Sequence, residues 1–220
     1  MKIDDNCVIE PSDVVRDLGV LLDNKLSMTH HITSITKSCF YHLRRIRQIK
    51  SCLNEMCLQT LIQALVISRL DYCNSVLVNL PESTLHPYTT ILHSAARLAK
   101  GLKPRDHITP ALRQLHWLPI KARITYKICL MMFNINSGSS PRYMSSLVTP
   151  CNQIQSRTNL RSSTKGDYVI QRTTRTLGRR AFSVAGPSEW NKLPIIVREA
   201  PSTSSFKSRL KTYLFKTHYG

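Results

Sequence analysis

Acidic residues are scarce in this chain. Aspartate and glutamate together number 13 among 220 residues, whereas lysine and arginine number 31, so the formal net charge is +18. The imbalance is concentrated in the second half: residues 1–100 hold 11 basic and 9 acidic residues, a net of +2, and residues 101–220 hold 20 and 4, a net of +16. A positive field of this size attracts polyanions, and nucleic acid is the first candidate among them.

Long apolar runs and paired cysteines are missing too. No uncharged stretch reaches the roughly 18 residues that a membrane-spanning helix needs, and no basic leader with an apolar run behind it opens the sequence. The seven cysteines include no CxxC pair, and Cys52 and Cys57, the best-spaced two, are followed by no second pair at zinc-finger spacing. We therefore expect an intracellular protein, nuclear or cytoplasmic, with reduced thiols, no cofactor in this chain and no membrane partner.

Familiar catalytic motifs are lacking as well. The sequence contains no GxSxG, HExxH or P-loop pattern. Asp4 and Asp5 form a carboxylate pair of the kind that two-metal enzymes use, but Asn6 follows them in a polar cluster typical of a turn. We therefore expect no catalytic residue in this chain.

Apolar residues at three-to-four-residue spacing are the main pattern that is present. At 42% hydrophobic and 20% charged residues, the composition is that of a globular protein. Asn54 and Gly101 stand where a helix N-cap and a helix C-cap are expected. Strand-like runs are confined to residues 1–22 and to a short run at Tyr168. The sequence predicts a mainly α fold with a small N-terminal β-hairpin and a basic, α-rich C-terminal region. The spacing predicts helices over 27–53, 56–66, 85–100, 120–132 and 202–215.

The most patterned stretch is residues 107–132. Thr109 and Pro110 are typical of a helix start, with threonine as N-cap and proline in the first turn. Trp117-Leu118-Pro119 ends that helix, and a second one begins at Ile120. On these observations alone, the stretch is two short core helices joined at a corner.

The same stretch carries a family resemblance, and four other blocks agree with it in order. Together they resemble the C-terminal part of reverse transcriptases from non-LTR retrotransposons, the LINE elements of the jockey and chicken-repeat kind. The blocks are VRDLGVLLDNKLSMTHHI (15–32), SRLDYCNSVLVNLP (68–81), HITPALRQLHWLPIKARITYKI (107–128), AFSVAGPSEWNKLP (181–194) and FKSRLKTYLF (206–215).

The resemblance implies three parts. Residues 1–24 resemble the hairpin at the end of a polymerase palm, residues 25–102 a helical thumb-like bundle, and residues 103–220 a basic C-terminal region with a loop-rich segment at 149–180. In that family the strand containing Leu18, Gly19 and Val20 helps to hold the primer 3′ end, so these three residues are primer-grip-like. The alternative for them is an ordinary buried strand, in which the glycine marks a bulge or a close backbone approach.

Candidate nucleic-acid contacts lie in two basic runs, one at the end of the long first helix and one in the segment rich in arginine, serine and threonine. Arginine and hydroxyl side chains are common donors to phosphate oxygens. The alternative for both runs is a solvated surface, and in the helix the cations also favour the carboxyl end of the dipole. The candidates are Arg44, Arg45, Arg47, Lys50, Arg157, Arg161, Arg172, Arg175, Arg179 and Arg180.

The resemblance implies a fragment of an RNA-directed DNA polymerase that binds RNA or DNA, as primer–template duplex. The palm carboxylates are not in this sequence: Asp71-Tyr72 has the reverse order of the catalytic doublet. We therefore expect no polymerase activity from this chain alone, and Mg²⁺ only in the full-length parent enzyme. The alternative is a catalytically inert helical protein-interaction module or a retroelement relic without function, which could self-associate through exposed apolar surface.

Overall fold

The computed structural model describes residues 12–154 and 166–220, and the backbone of two short strands before them. The described residues are mainly α-helical with small antiparallel hairpins at the N-terminus, which confirms the predicted fold class. The strands are β1 Lys2–Asp4, β2 Cys7–Val8, β3 Val14–Asp17 and β4 Val20–Asp23. The helices are α1 Thr29–Ile49, α2 Glu55–Ile62, α3 Ser68–Asp71, α4 Glu82–Lys100, α5 Thr109–Gln114, α6 Ile120–Asn136, α7 Arg142–Ser145, α8 Phe182–Asn191, α9 Ile195–Arg198 and α10 Thr203–Tyr219.

The second hairpin, β3–β4, turns at Leu18 and Gly19. Both residues have positive φ, 43° and 83°, as the two central residues of a tight hairpin turn require. The run from Leu18 to Leu22 was expected as one strand with a glycine inside it, and that boundary was wrong. Leucine rarely adopts this conformation, and the sequence has no Asn-Gly or Asp-Gly pair here to signal the turn.

The connection from β4 to α1 is organised by the carboxylate of Asp23. It accepts hydrogen bonds from the backbone N–H groups of Lys25 (3.1 Å), Ser27 (2.9 Å) and Met28 (2.9 Å), and from the Ser27 hydroxyl (3.0 Å). Leu26 and Met28 both have positive φ in this loop. Asp23 thus fixes the position at which α1 begins.

The N-terminal bundle forms around α1 and α4, which pack along each other. Both helices contribute to one hydrophobic cluster, α1 with buried leucine and isoleucine side chains and α4 with residues that include Ala95 and Ala96. The predicted caps are confirmed: Asn54 accepts a 2.7 Å hydrogen bond from the Cys57 N–H, and Gly101 ends α4 with φ +67°. Between α2 and α3 the helix continues through a π-helical segment, Gln63–Ile67.

The corner between α5 and α6 is buried, as Trp117 and Leu118 show. The Tyr219 hydroxyl at the end of α10 donates a 2.8 Å hydrogen bond to the Trp117 carbonyl, which ties the last helix to this corner. Thr109 was expected as the N-cap of α5 but is its first residue, after Ile108. Proline still lies in the first turn, where a missing N–H removes no helical bond.

A second hydrophobic cluster forms where α6 packs against α8 and α10. Its centre is aromatic: Phe133 stacks on Phe206 at 4.2 Å between ring centroids, and Trp190 is buried beside them. Gly186 and Pro187 lie buried inside α8, because packing against α6 outweighs their low helix propensity.

Helix α6 contributes to both clusters. Ile120, Ile124 and Ile128 pack in the N-terminal cluster, whereas Cys129 and Met132 pack in the second. The division of the chain at residue 103 stays a prediction. The short strand expected at Tyr168 is reduced to a single antiparallel bridge with Pro150.

Candidate nucleic-acid interface

The first candidate surface is the carboxyl end of α1, called here the helix-end cluster: Arg44, Arg45, Arg47 and Lys50. The three arginines are exposed, and Lys50 is half-buried. None of the four enters an ion pair with a described residue. Their charges are therefore available to an anion in solution.

The end of α4 lies beside the helix-end cluster. Lys50 Nζ would be 3.5 Å from a Cβ placed on Gly101, so α1 and α4 end side by side. Lys100, in the last turn of α4, is paired with Glu55 at 2.7 Å. The basic side chains thus stand over two helix carboxyl ends, where part of their charge offsets the helix dipoles.

The second candidate surface is the arginine segment, residues 172–180. Arg172, Arg175 and Arg179 are exposed and unpaired with any described acid. The segment is attached to the bundle through its backbone, because Asn79 Nδ2 donates a 2.7 Å hydrogen bond to the Arg179 carbonyl. The carboxyl end of the segment is therefore held next to Asn79.

Arg180 has a different role from its neighbours. Its guanidinium donates to the Leu26 carbonyl (2.5 Å) and to the Val76 carbonyl (3.3 Å). Burial lowers its pKa, against the opposing effect of the nearby Asp23 carboxylate. The sequence placed Arg180 among the phosphate contacts, whereas in the structure it anchors the arginine segment to the β4–α1 loop.

The two surfaces lie towards opposite ends of α1. Arg180 docks beside the loop that precedes Thr29, and Arg44 lies 15 residues further along α1. At 1.5 Å per residue the separation along the helix is about 22 Å. Arg157 and Arg161 lie outside the described residues.

The three primer-grip-like residues, Leu18, Gly19 and Val20, differ in their exposure and in their contacts. Leu18 at the hairpin tip is 82% exposed, whereas Val20 is buried in the N-terminal cluster. The Tyr72 hydroxyl donates a 2.7 Å hydrogen bond to the Leu18 carbonyl, and the Tyr72 ring would be 3.6 Å from a Cβ on Gly19. A Cβ on Gly19 would thus be in ordinary van der Waals contact with Tyr72, so the structure does not show the close backbone approach expected there. The positive φ of Gly19 in the turn accounts for the glycine instead.

The described residues offer no group of three or more histidine, cysteine, aspartate or glutamate side chains placed to hold a metal ion. Cys52 and Cys57 are exposed free thiols. Within the parts of the chain that the structure describes, every helix is too short or too polar to cross a membrane.

The described residues thus carry two groups of exposed basic side chains, one at the end of α1 and one at residues 172–179. Comparison of the chain with protein-family models, curated protein sequences and solved structures gave no match. The resemblance to LINE-type reverse transcriptases therefore rests on the five sequence blocks and stays a proposal.

Proposed function

We propose that this chain corresponds to the thumb and C-terminal region of a LINE-type reverse transcriptase and binds RNA- or DNA-containing primer–template duplex inside the cell. The observation that carries the proposal is the arginine segment. Three exposed arginines lie on a segment whose carboxyl end is held to the helical bundle by Asn79 and Arg180. A surface fixed before binding loses less conformational freedom when it meets its ligand.

The arginine segment and the helix-end cluster would contact one duplex along its phosphate backbone. Contacts of this kind carry little base information and depend steeply on salt. The exposed Leu18 at the hairpin tip would stand near the primer terminus.

DNA synthesis is not expected from this chain alone. Polymerases position their metal ions with palm carboxylates, and the motif that carries them is not in this sequence. Purified chain incubated with primer–template, deoxynucleotides and Mg²⁺ should give no extended primer. An extension product above background would overturn this part of the proposal.

The binding test is fluorescence anisotropy of the chain against a labelled RNA–DNA primer–template over a salt series. The test variant changes Arg172, Arg175 and Arg179 to alanine and leaves the anchoring Arg180 intact. The slope of log affinity against log salt should fall by up to about 2.7, because each phosphate contact contributes about 0.9. A matched control changes three exposed basic residues outside the segment to alanine: Arg142, Lys207 and Lys216.

Equal losses in the test variant and the control would show that net charge alone drives binding. Binding that is already weak at low salt would refute the proposed function. Either result would leave the second candidate, a protein-interaction module, in the lead.

A specific observation favours that second candidate. Four apolar residues near the β3–β4 hairpin are exposed: Leu18, Leu26, Tyr72 and Val76. The Tyr72 hydroxyl donates a hydrogen bond to the Leu18 carbonyl, and Arg180 donates to the Leu26 and Val76 carbonyls. Several exposed apolar side chains in one region are typical of an interaction site. Sedimentation at micromolar concentration tests it, since a clean monomer would contradict self-association through this surface.

A further inference from the structure

A pocket of 420 Å³ opens at the junction of the N-terminal bundle and the C-terminal helices. Its walls come from the π-helical segment, α3, the Trp117 corner, α6 and α10. The volume is within the range of small-molecule sites. The helix-end cluster and the arginine segment contribute no residue to this pocket.

The most constrained group on the pocket wall is the guanidinium of Arg123. Its Nη1 donates to both carboxylate oxygens of Asp71, at 3.0 and 2.8 Å, and its Nε donates to the Leu118 carbonyl at 2.8 Å. The Arg123 side chain is 12% exposed. Its Nη2 makes no hydrogen bond to a described residue, so a rigid guanidinium keeps one donor group unused.

Further donors line the same pocket. Lys127 on α6 and Lys211 on α10 both reach it, and neither is paired with a described acid. The Tyr126 hydroxyl makes no hydrogen bond to a described residue either. The one carboxylate of the pocket, Asp71, is already neutralised by Arg123. The pocket is therefore electropositive, and two ammonium groups beside a fixed guanidinium are suited to a phosphate dianion.

The rest of the wall is apolar or carries a neutral amide. Trp117, which is 7% exposed, lines the pocket together with Leu115, Leu118 and Gln63. Aromatic rings stack on nucleobases, and a glutamine amide can donate to and accept from a base edge. Asn74 also lines the pocket, and its buried side-chain oxygen, Oδ1, accepts no hydrogen bond from a described residue. Buried polar atoms usually have a hydrogen-bond partner, so a ligand could supply the missing donor.

We propose that this pocket binds one phosphorylated nucleotide unit, with the phosphate at Arg123, Lys127 and Lys211 and the base against Trp117. The ligand is either a free nucleotide or the 5′-phosphorylated end of a strand, because both present the same phosphate monoester. The site does not depend on the proposed duplex binding, since it uses none of the same side chains.

The test is isothermal titration calorimetry of the full chain with adenosine 5′-monophosphate, with adenosine and with ribose 5-phosphate. Trp117 fluorescence provides a second readout, since the other tryptophan, Trp190, is buried in a different cluster. The test variant is K127Q/K211Q. The matched control is K207Q/K216Q, which removes the same charge from exposed positions and leaves the pocket unchanged.

We expect the monophosphate to bind and to change Trp117 fluorescence, and K127Q/K211Q to weaken binding by at least about tenfold, as the loss of charge-assisted contacts should. The control should stay within about twofold, because distant exposed charges are screened. Adenosine and ribose 5-phosphate should each bind more weakly than the monophosphate. Equal binding of the monophosphate and ribose 5-phosphate, or equal losses in the two double variants, would overturn the proposal.

Competition between oligonucleotides separates the two sources of the ligand. If a 5′-phosphorylated strand displaces the monophosphate at lower concentration than its 5′-hydroxyl counterpart, the site accepts a strand end. If neither strand displaces it, the site accepts free nucleotide. Both results support a nucleotide pocket, whereas displacement by both strands equally would show that their backbone charge acts elsewhere and would contradict it.

Discussion

Replacing Asp23 with alanine should destabilise the protein and weaken nucleic-acid binding at the same time. The carboxylate accepts three backbone N–H groups and the Ser27 hydroxyl. The Met28 N–H is buried and would lose its partner, at a cost of about 2 kcal/mol, and the more exposed groups would add about 1 kcal/mol because water can replace the carboxylate. The expected loss in free energy of unfolding is therefore about 3 kcal/mol.

The assay is thermal unfolding followed by circular dichroism. For a chain of this size, 3 kcal/mol corresponds to a fall in Tm of about 6 to 12 °C. Asp23→Asn keeps one acceptor oxygen and should fall between the alanine variant and the native chain. The Leu26 carbonyl, which accepts a hydrogen bond from Arg180, lies in the same loop. Because a disordered loop would weaken this anchor of the arginine segment, affinity for the labelled duplex should fall together with the Tm.

The pH dependence gives an independent check on Asp23. Its pKa is lowered from 3.8, chiefly by the hydrogen bond from the Ser27 N–H and against the opposing effect of burial. A carboxyl with a lowered folded-state pKa stabilises the fold above its unfolded pKa and loses that effect as the pH falls through the folded value. The native chain should therefore lose stability at acidic pH more steeply than the alanine variant. A Tm for the variant within about 2 °C of the native value would refute this account of the loop.

The remaining predictions concern a helix cap, an anchor and a buried imidazole. Asn54→Ala removes the cap of α2 and should cost about 1 kcal/mol, measured by urea unfolding; an unchanged midpoint would contradict the cap. Arg180→Ala should lower the free energy of unfolding by about 2 kcal/mol, because two carbonyls lose a charged donor, and should also weaken duplex binding. Arg179→Ala should weaken duplex binding without changing stability. Scanning calorimetry measures the stability of both variants, and anisotropy measures their binding. His31 is buried, its Nδ1 accepts a 3.4 Å hydrogen bond from a β4 N–H, and burial lowers its pKa from 6.5. A histidine with a lowered pKa stabilises the fold above its unfolded pKa, so the free energy of unfolding should fall as the pH drops below about 6.5. His31→Asn keeps a hydrogen-bond acceptor and should flatten that part of the stability–pH profile. An unaltered profile would show that His31 does not cause the pH dependence.

The elements that were predicted correctly are those whose signals are local. The Asn54 cap bonds a residue three positions away, and Gly101 ends its helix through its own φ. The boundary error at Leu18 has a physical cause: its turn conformation is held by a hydrogen bond from Tyr72, 54 positions away, and the residue itself gives no turn signal.

The candidate interface shows the same limit. Exposure of Arg172, Arg175 and Arg179 agrees with a surface run of arginines, and their binding role stays a prediction. The separate role of Arg180 depends on the Leu26 carbonyl, 154 positions away. The pocket at Arg123 joins side chains from three distant parts of the chain, so no spacing in the sequence could have shown it.

The sharing of α6 between the two hydrophobic clusters has a consequence for folding. A chain ending at residue 102 would lose Ile120, Ile124 and Ile128 from the N-terminal cluster, so the N-terminal bundle could not keep its full core. Elements that share one core helix tend to unfold together as one cooperative unit. Denaturation should accordingly show one transition, and a destabilising change on either side of α6 should lower the midpoint of the whole molecule.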